Sequence, residues 1–400
     1  MLLNDLKIFL SWSTVLGHVV HAVTFDELEH TFDTLQTWYN ESTGLWEPST
    51  GWWNSANCLT MLADYASINE DIRERTIELW DNIFTKASGY NTKMTATIGP
   101  AWRSDFAMVR RARARRRGHL LRSTQNVGFL NDFYDDEGWW ALAWIQVYDL
   151  TGQSKYLSEA VTIFNDMHAA WNTTPVGGLW WNKQHEYVNA IVNELYFSVA
   201  AHLANRCPQD RAYYTDLAQA AWTWFYNSGM INSNGNIKDG LPVGSKPGNT
   251  EIVWSYNQGV ILTALTELAR TTSQEGYTDI AMAIADAALA NLTVESSGTN
   301  NSAAILHEPC EAWECGIDGA SFKGIFVRNI AQVHGVRPNT RYAQFLRDNA
   351  DSLWSNGLDQ YNRLSLNWAG LSKELSAASS QCSGMDLFVG AIAQLGEWKT

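Results

Sequence analysis

The chain has 400 residues, of which 46% are hydrophobic and 18% charged, a composition typical of a large globular protein. Its 28 basic and 42 acidic residues give a formal net charge of −14, which argues against a general nucleic-acid or anionic-membrane surface. The chain has 20 tryptophans but only 8 prolines, which favours long helices and excludes fibrous, disordered and multipass membrane proteins.

The first predicted element is a secretory signal peptide over residues 1–22. The stretch Ile8–Ala22 is largely apolar, follows Lys7 and ends in Val20-His21-Ala22, which resembles a small-x-small cleavage signal. A buried first helix is the alternative. Four Asn-x-Ser/Thr sequons agree with secretion and mark candidate N-glycosylation sites: Asn40, Asn172, Asn291 and Asn300. We therefore expect a secreted protein, either free or associated with a cell wall.

Twelve helical segments of two alternating kinds follow. Six are amphipathic with a period of 3.6 residues: Phe25–Asn40, Glu70–Lys86, Lys155–Trp171, Arg211–Asn227, Tyr277–Leu292 and Arg341–Trp354. The six between them are apolar nearly all round: Trp52–Tyr65, Gly138–Leu150, Tyr187–Ala204, Ser255–Ala269, Phe322–Val333 and Met385–Leu395. A helix with one polar face lies at the protein surface, whereas a helix that is apolar on all sides is surrounded by protein.

This alternation predicts an all-α fold, an (α/α)6 barrel or toroid in which six outer helices surround six inner ones. Residues 23–400 would then form a single domain. An open helical solenoid is the alternative, but solenoid repeats keep a near-constant period, and the spacing of these segments is uneven. In a closed ring, we expect the functional site at one end, in the loops that lead into the inner helices.

Clusters of glycine, tryptophan and polar residues lie where inner helices are predicted to start. They are Gly51–Trp53, Gly138–Trp140, Gly177–Trp181, Trp254–Gln258 and Asn367–Gly370. Each tryptophan on its own could simply fill the core. Together with Asn, Gln and Asp, however, the clusters suggest stacking platforms with hydrogen-bonding edges, which suit the apolar faces and hydroxyl edges of sugars.

The five cysteines are too few for a disulfide-dense scaffold. Cys310 and Cys315 lie close together in a loop-like stretch and are a possible disulfide, so at least one thiol among Cys58, Cys207 and Cys382 is expected to stay free. We find neither metal-ligand spacing nor a phosphate-binding glycine loop, and we expect no metal and no cofactor. There is no second long apolar run, and the chain ends in LGEWKT, so we expect no transmembrane segment and no GPI tail.

The sharpest local feature is a run of three acids, Asp135-Asp136-Glu137, directly before Gly138-Trp139-Trp140. Acids at the start of a helix cap its free N–H groups, and this structural role is one interpretation. The other is catalysis, because a single cap does not require three acids beside two tryptophans. Glycoside hydrolysis needs two carboxyl groups, about 5–5.5 Å apart for retention and 6.5–9.5 Å for inversion, so adjacent acids suit a retaining pair better.

The stretch YDDEGWWALAW, which continues as IQVYDLTG, resembles the signature of glycoside hydrolase family 76, the endo-α-1,6-mannanases of fungi and bacteria. Further similar stretches follow in the family's order, namely GGLWW (177–181), NAIVNELYF (189–197), SGMIN (228–232) with DGL (239–241), WSYNQGVIL (254–262) and FKGIFVRNIA (322–331). The resemblance covers about residues 25–397. It implies an (α/α)6 barrel and hydrolysis of internal α-1,6-mannosidic linkages with retention.

Carried onto this chain, the resemblance implies that Asp135 is the nucleophile and Asp136 the acid/base, although the pair is more secure than the order. It also implies mannose contacts from a wider set, each of which could instead be an ordinary helix-start or core residue: Trp180, Trp181, Asp239, Tyr256, Asn257 and Gln258. The only histidines near these loops, His185 and His307, are interpreted as incidental.

The segment of about residues 101–126 departs from the family. It contains Arg110–Arg117 (RRARARRR) and no acid other than Asp105 near its start. A solvated insertion, a segment altered by an error in gene prediction, and a basic loop that binds mannosyl phosphate are the three interpretations.

The leading hypothesis is a secreted endo-α-1,6-mannanase that acts as a monomer on the mannan backbone of yeast or fungal cell walls, with mannan or mannooligosaccharide as its partner and no nucleic acid. One alternative is a cell-wall transglycosylase that acts on mannosyl glycans of GPI-anchored proteins. The other is a non-catalytic mannan-binding protein on the same fold.

Overall fold

The computed structural model describes residues 23–47, 50–91, 128–244, 251–295, 303–312, 314–370 and 376–394. The predicted signal peptide, the Arg-rich segment and the sequon at Asn300 lie outside the described residues.

The described helices alternate between the two predicted kinds. The outer helices are α1 (Phe25–Gln36), α3 (Glu70–Lys86), α5 (Ser154–Ala169), α7 (Arg211–Asn227), α9 (Gly276–Asn291) and α12 (Thr340–Asn356). The inner helices are α2 (Trp52–Ile68), α4 (Tyr134–Thr151), α6 (Ala190–Arg206), α8 (Ser255–Thr272), α11 (Phe322–Val336) and α13 (Ala378–Ala393), and a single turn, α10 (Gly316–Gly319), precedes α11.

The inner helices form a closed ring. Each packs against the next in the order α2, α4, α6, α8, α11 and α13, and α13 packs back against α2. A disulfide between Cys58 of α2 and Cys382 of α13 joins the first and last inner helices covalently. The (α/α)6 barrel is therefore confirmed, since an open solenoid would have no contact between its two ends.

Short antiparallel strand pairs occur only in the connections of the described chain. Strand β1 (Tyr39–Asn40) pairs with β2 (Leu45–Trp46), β3 (Val188–Asn189) with β4 (Gly240–Leu241), and β5 (Thr293–Glu295) with β6 (Ala304–Leu306). The first pair explains why α1 ends at Gln36 rather than at Asn40, because the chain turns back there to pair with β2.

Two inner helices start earlier than the apolar pattern predicts. Helix α4 starts at Tyr134 instead of Gly138 because its first turn is acidic, and α13 starts at Ala378 instead of Met385 because Ala378–Gly384 consists of small and polar residues. All residues of Ala378–Gly384 are nevertheless buried. Small side chains let this helix approach its neighbours, which a search for large apolar residues does not detect.

Buried amides near the start of three inner helices hold the loop that precedes each helix. Gln258 Oε1 accepts from Ile237 N at 2.8 Å, and Gln381 Oε1 accepts from Leu364 N at 2.8 Å. Asn193 Oδ1 accepts from the backbone N–H of Leu179 at 2.7 Å in the same manner. Loops at this end of the ring are therefore fixed by hydrogen bonds from the helices beneath them.

Candidate active site

The three consecutive acids lie within the first turn of α4, at the end of the ring where the inner helices begin. The N-cap of this helix is Phe133, whose side chain makes no capping hydrogen bond. The acids are therefore helical residues and none of them is the N-cap, but the Asp135 carboxyl does accept from the free backbone N–H groups of Asp135 and Asp136.

Asp135 is held by a neighbouring loop. Trp181 Nε1 donates to Asp135 Oδ2 at 2.8 Å. Burial raises the pKa of Asp135 to about 7, the Trp181 hydrogen bond opposes this shift, and the negative charge of Asp318 adds to it. Asp135 thus exchanges its proton near neutral pH.

Asp136 and Glu137 are bound by the segment just before the helix. Asn131 Nδ2 donates to Asp136 Oδ2 at 2.7 Å, and the backbone N–H of Asn131 donates to Glu137 Oε1 at 2.7 Å. Lys183 Nζ lies 2.8 Å from the same oxygen of Glu137. Burial raises the pKa of Glu137 well above its usual range, and Lys183 opposes the shift.

The loop that carries Trp181 is tied to the segment before α4. Phe133 and Asn182 form an isolated antiparallel bridge, and Tyr134 N donates to Trp181 O at 3.1 Å. Gly178 allows this loop to pass close to α7, because its φ of +74° suits glycine and an added Cβ would collide with Trp224. The position of Trp181 over Asp135 is therefore set by backbone pairing.

A second polar cluster faces the acids from the next inner helices. Tyr187 Oη donates to Asp239 Oδ2 at 2.9 Å. Burial raises the pKa of Tyr256 well above its usual range, and the charges of Asp239, Asp135 and Glu194 raise it further. Tyr256 therefore lies among three carboxyl groups that come from different parts of the chain.

Aromatic rings line the side of the site formed by α2, α4, α8 and α11. Trp53 stacks on Trp139 with ring centroids 5.7 Å apart, and Tyr256 stacks on Phe322 at 4.0 Å. Trp53 Nε1 also donates to Asp318 Oδ1 at 2.9 Å. This arrangement combines flat apolar faces with carboxylates, which suits a sugar.

The structure brings three of the predicted residues to Asp135 or its surroundings. Trp181 contacts Asp135 directly, and Asp239 and Tyr256 form the second cluster. Asn257 is fully buried on α8, and neither of its amide atoms has a hydrogen-bond partner among the described residues.

Two predicted sugar contacts are not supported. Gln258 is fully buried, and its amide nitrogen already donates to Ile237 O and Trp254 O, so it has no hydrogen left for a sugar. Trp180 is only 9% exposed, and the imidazole of His185 stacks on its ring at 5.3 Å. Trp180 is therefore a buried ring beneath His185 and not an open platform.

Sequence reasoning missed Asp318, Tyr187 and Glu194. Asp318 lies in the short turn α10 and Tyr187 in a loop, where single polar residues carry no pattern. Glu194 is fully buried on α6, and neither of its carboxyl oxygens has a hydrogen-bond partner among the described residues. An acid in the mostly apolar stretch Ala190–Ala201 was the one signal that could have pointed to it.

The remaining expectations concern cysteines, histidines and metals. Cys310 is bonded to Cys315, and Cys207 is the free cysteine. His307 interacts with Glu311, with Nδ1 3.0 Å from Oε2. Within the described residues, no group of three or more His, Cys, Asp or Glu side chains could hold a metal ion, and no helix is long and apolar enough to span a membrane.

The model of glycosyl hydrolase family 76 matches residues 19–398. The chain belongs to glycosyl hydrolase family 76. The resemblance of its motifs to this family is thereby confirmed over almost the whole sequence.

Two yeast proteins are similar to part of the chain. A mannan endo-1,6-alpha-mannosidase (DCW1) of Candida albicans is 28% identical over 222 residues, and one of Candida glabrata is 29% identical over 227 residues. Both alignments cover 52% of this chain and 48% of the relative. The alignments thus extend over about half the length of these relatives.

Solved structures share the fold of this chain. An inactive variant of an alpha-1,6-mannanase from Salegentibacter in complex with alpha-1,6-mannotriose has a TM-score of 0.69 and 19% identity, and it covers 92% of this chain and 98% of that chain. Dfg5 from Chaetomium thermophilum in complex with glucosamine has a TM-score of 0.71 and 17% identity. The match covers 95% of the present chain and 93% of Dfg5.

The burial of Asp135 predicts a pH-dependent cost to stability. Its pKa rises from an ordinary 3.8 to about 7 on folding, so its contribution to stability is fully present below about pH 4 and is lost as the pH rises through 7. Asp135→Asn should therefore raise the free energy of unfolding by about 1–3 kcal/mol at pH 8 and change it little at pH 4. Urea denaturation at both pH values measures the difference. The exposed Asp132→Asn is the control, and an equal effect of Asp135→Asn at both pH values would contradict the assignment.

Proposed function

We propose that this member of family 76 is a retaining endo-α-1,6-mannosidase that hydrolyses the α-1,6-mannan backbone of fungal cell walls. The observation that carries the proposal is the adjacent pair Asp135 and Asp136 in the first turn of α4, each held by a separate hydrogen-bond donor. The names of the yeast relatives and the mannotriose bound to the Salegentibacter enzyme support this substrate class.

The geometry of a helix suits adjacent acids for retention. With 3.6 residues per turn, neighbouring side chains diverge by about 100° around the axis, which leaves a gap between their carboxyl groups. A retaining enzyme needs a short separation of about 5–5.5 Å, with a glycosidic bond between the two groups. Neighbouring positions in one helical turn are compatible with such a pair.

The protonation of the pair suits glycoside hydrolysis. A retaining glycosidase starts from one carboxylate and one carboxylic acid. Because the two carboxyl groups are adjacent, their titration belongs to the pair, and the raised pKa of Asp135 implies that the pair retains a proton near neutral pH. In the reactive form that we propose, the proton shared by the pair lies on Asp136, the acid/base, and Asp135 is the carboxylate nucleophile, which is the order that the family resemblance implies.

In the proposed reaction, the Asp135 carboxylate attacks the anomeric carbon of mannose while Asp136 donates its proton to the leaving glycosidic oxygen. The bond from the anomeric carbon to that oxygen breaks as a bond to Asp135 forms. Asp136, now a carboxylate, removes a proton from water, which attacks the same carbon and releases Asp135. Two inversions give net retention.

The test is incubation with unbranched α-1,6-mannan and measurement of product length. We expect internal cleavage to shortened oligomannosides, and Asp135→Asn and Asp136→Asn should each lower turnover by at least about 10²–10⁴-fold, the usual contribution of a group in this role. Oligomannoside binding should persist in both variants. Longer products with a mannosyl acceptor would identify a transglycosylase, and binding without turnover by the unaltered protein would identify a non-catalytic mannan-binding protein.

We also propose that the protein is secreted. Two disulfides among the described residues agree with an oxidising compartment, because disulfides persist mainly there. The sequon asparagines Asn172 and Asn291 are exposed, whereas Asn40 is half-buried and its Nδ2 donates to Glu47 Oε2 at 3.4 Å.

Glycosylation of the protein from a fungal host should follow this exposure. We expect glycans at Asn172 and Asn291 and little or none at Asn40, because a glycan replaces a hydrogen of the amide nitrogen and projects into solvent. Glycopeptide mass spectrometry of the secreted protein, before and after removal of N-glycans, measures the occupancy. Unmodified asparagines at both exposed sequons would contradict passage through the secretory pathway.

A further inference from the structure

Asn131 makes three hydrogen bonds of 2.7 Å at the start of α4. Its Oδ1 accepts from the backbone N–H of Phe133, its own backbone N–H donates to Glu137 Oε1, and its Nδ2 donates to Asp136 Oδ2. The residue is 3% exposed. The first bond is a common turn feature of asparagine, whereas the third is directed at a proposed catalytic carboxyl group.

Glu137 fixes the position from which Asn131 reaches Asp136. The side chain of Glu137 is completely buried, and its Oε1 binds both the backbone of Asn131 and Lys183 Nζ. Lys183 Nζ lies 2.7 Å from Asp166 Oδ2 as well, so its charge is shared between two carboxylates. Glu137, the third acid, therefore binds the loop residues Asn131 and Lys183.

We propose that Asn131 is a positioning residue for Asp136 and that Glu137, paired with Lys183, holds Asn131 in place. This inference rests on the proposed function, in which Asp136 is the acid/base. An amide N–H donor fixes the carboxyl oxygen that it binds and favours the charged form of the carboxyl group. A donor is required here, which explains an asparagine at this position where an aspartate would serve the turn equally well.

Other charged groups near this turn act on the carboxyl groups of Asp135 and Glu137. They are Asp135 and Glu137 in the same turn, Lys183 in the loop paired with Phe133, Asp166 on α5 and Asp318 before α11. All of them remain unchanged in a variant of Asn131. A shift in the pH profile of that variant is therefore attributable to the loss of the Asn131 amide.

The test is the pH profile of kcat/KM of Asn131→Asp on an oligomannoside. This variant keeps an oxygen that can accept from Phe133 N but replaces the N–H donor with a negative charge beside Asp136. The pKa of Asp136 should rise, so the alkaline limb of the profile should move up by about one to two pH units, and kcat should fall about 10- to 100-fold. Movement of the acidic limb instead would assign Asp136 as the nucleophile and still support the contact.

Two further variants separate positioning from a general loss of structure. Asn182→Asp makes the same chemical change in the paired loop, where the Asn182 side chain binds Glu186, and it should lower stability without moving either limb. Glu137→Gln keeps an oxygen that can accept from Asn131 N but loses the ion pair with Lys183, so kcat should fall less than in Asn131→Asp, and the alkaline limb should keep its position because the Asn131 amide still binds Asp136. Loss of all activity in Glu137→Gln would make Glu137 itself catalytic and would overturn the proposal.

The pKa of Asp136 can also be measured without turnover. Carbon NMR of protein labelled at aspartate carboxyl groups, with Asp136→Asn to assign the signal, should show a higher pKa of Asp136 in Asn131→Asp. An unmoved pKa and an unmoved profile would overturn the positioning role while hydrolysis by the unaltered protein still held. If the unaltered protein cleaves no mannan, the proposed function fails, and the NMR titration still decides whether Asn131 controls Asp136.

Discussion

A carboxyl group withdrawn from water favours its neutral form, and the first turn of α4 holds two such groups, Asp135 and Glu137, on either side of Asp136. Each of the three acids in this turn accepts from a different donor. The indole of Trp181 binds Asp135, the amide of Asn131 binds Asp136, and the ammonium group of Lys183 binds Glu137. These three donors come from the two segments that pair through Phe133 and Asn182, so the positions of the donors depend on the backbone pairing of these segments.

The ring of inner helices makes that contact possible. Its helices are buried on all sides, and the disulfide from Cys58 to Cys382 joins its ends. Amides such as Gln258 and Asn193 then fix the loops above the helices. Rigid loops hold catalytic groups at set distances, which is where much of the rate enhancement of an enzyme originates.

The sequence predicted the alternation of helices because each helix has a burial pattern of its own. It also located the acid pair, since three acids before two tryptophans form a compact pattern. It failed where polar residues are buried. Gln258 looked like a sugar contact but holds a loop, and Glu194 in an apolar stretch went unnoticed. Whether a buried polar side chain can bind a sugar depends on the hydrogen bonds that it already makes within the protein. Residues that are distant in the sequence determine those hydrogen bonds.

The central claim is that adjacent acids in one helical turn share the two roles of retaining hydrolysis. Reaction with an activated fluoro-mannoside that slows release of the sugar, followed by tandem mass spectrometry of the peptides, tests it most directly. The account predicts one mannosyl group bound as an ester to Asp135. A label on a peptide outside the first turn of α4, or turnover with inversion and no label at all, would contradict it.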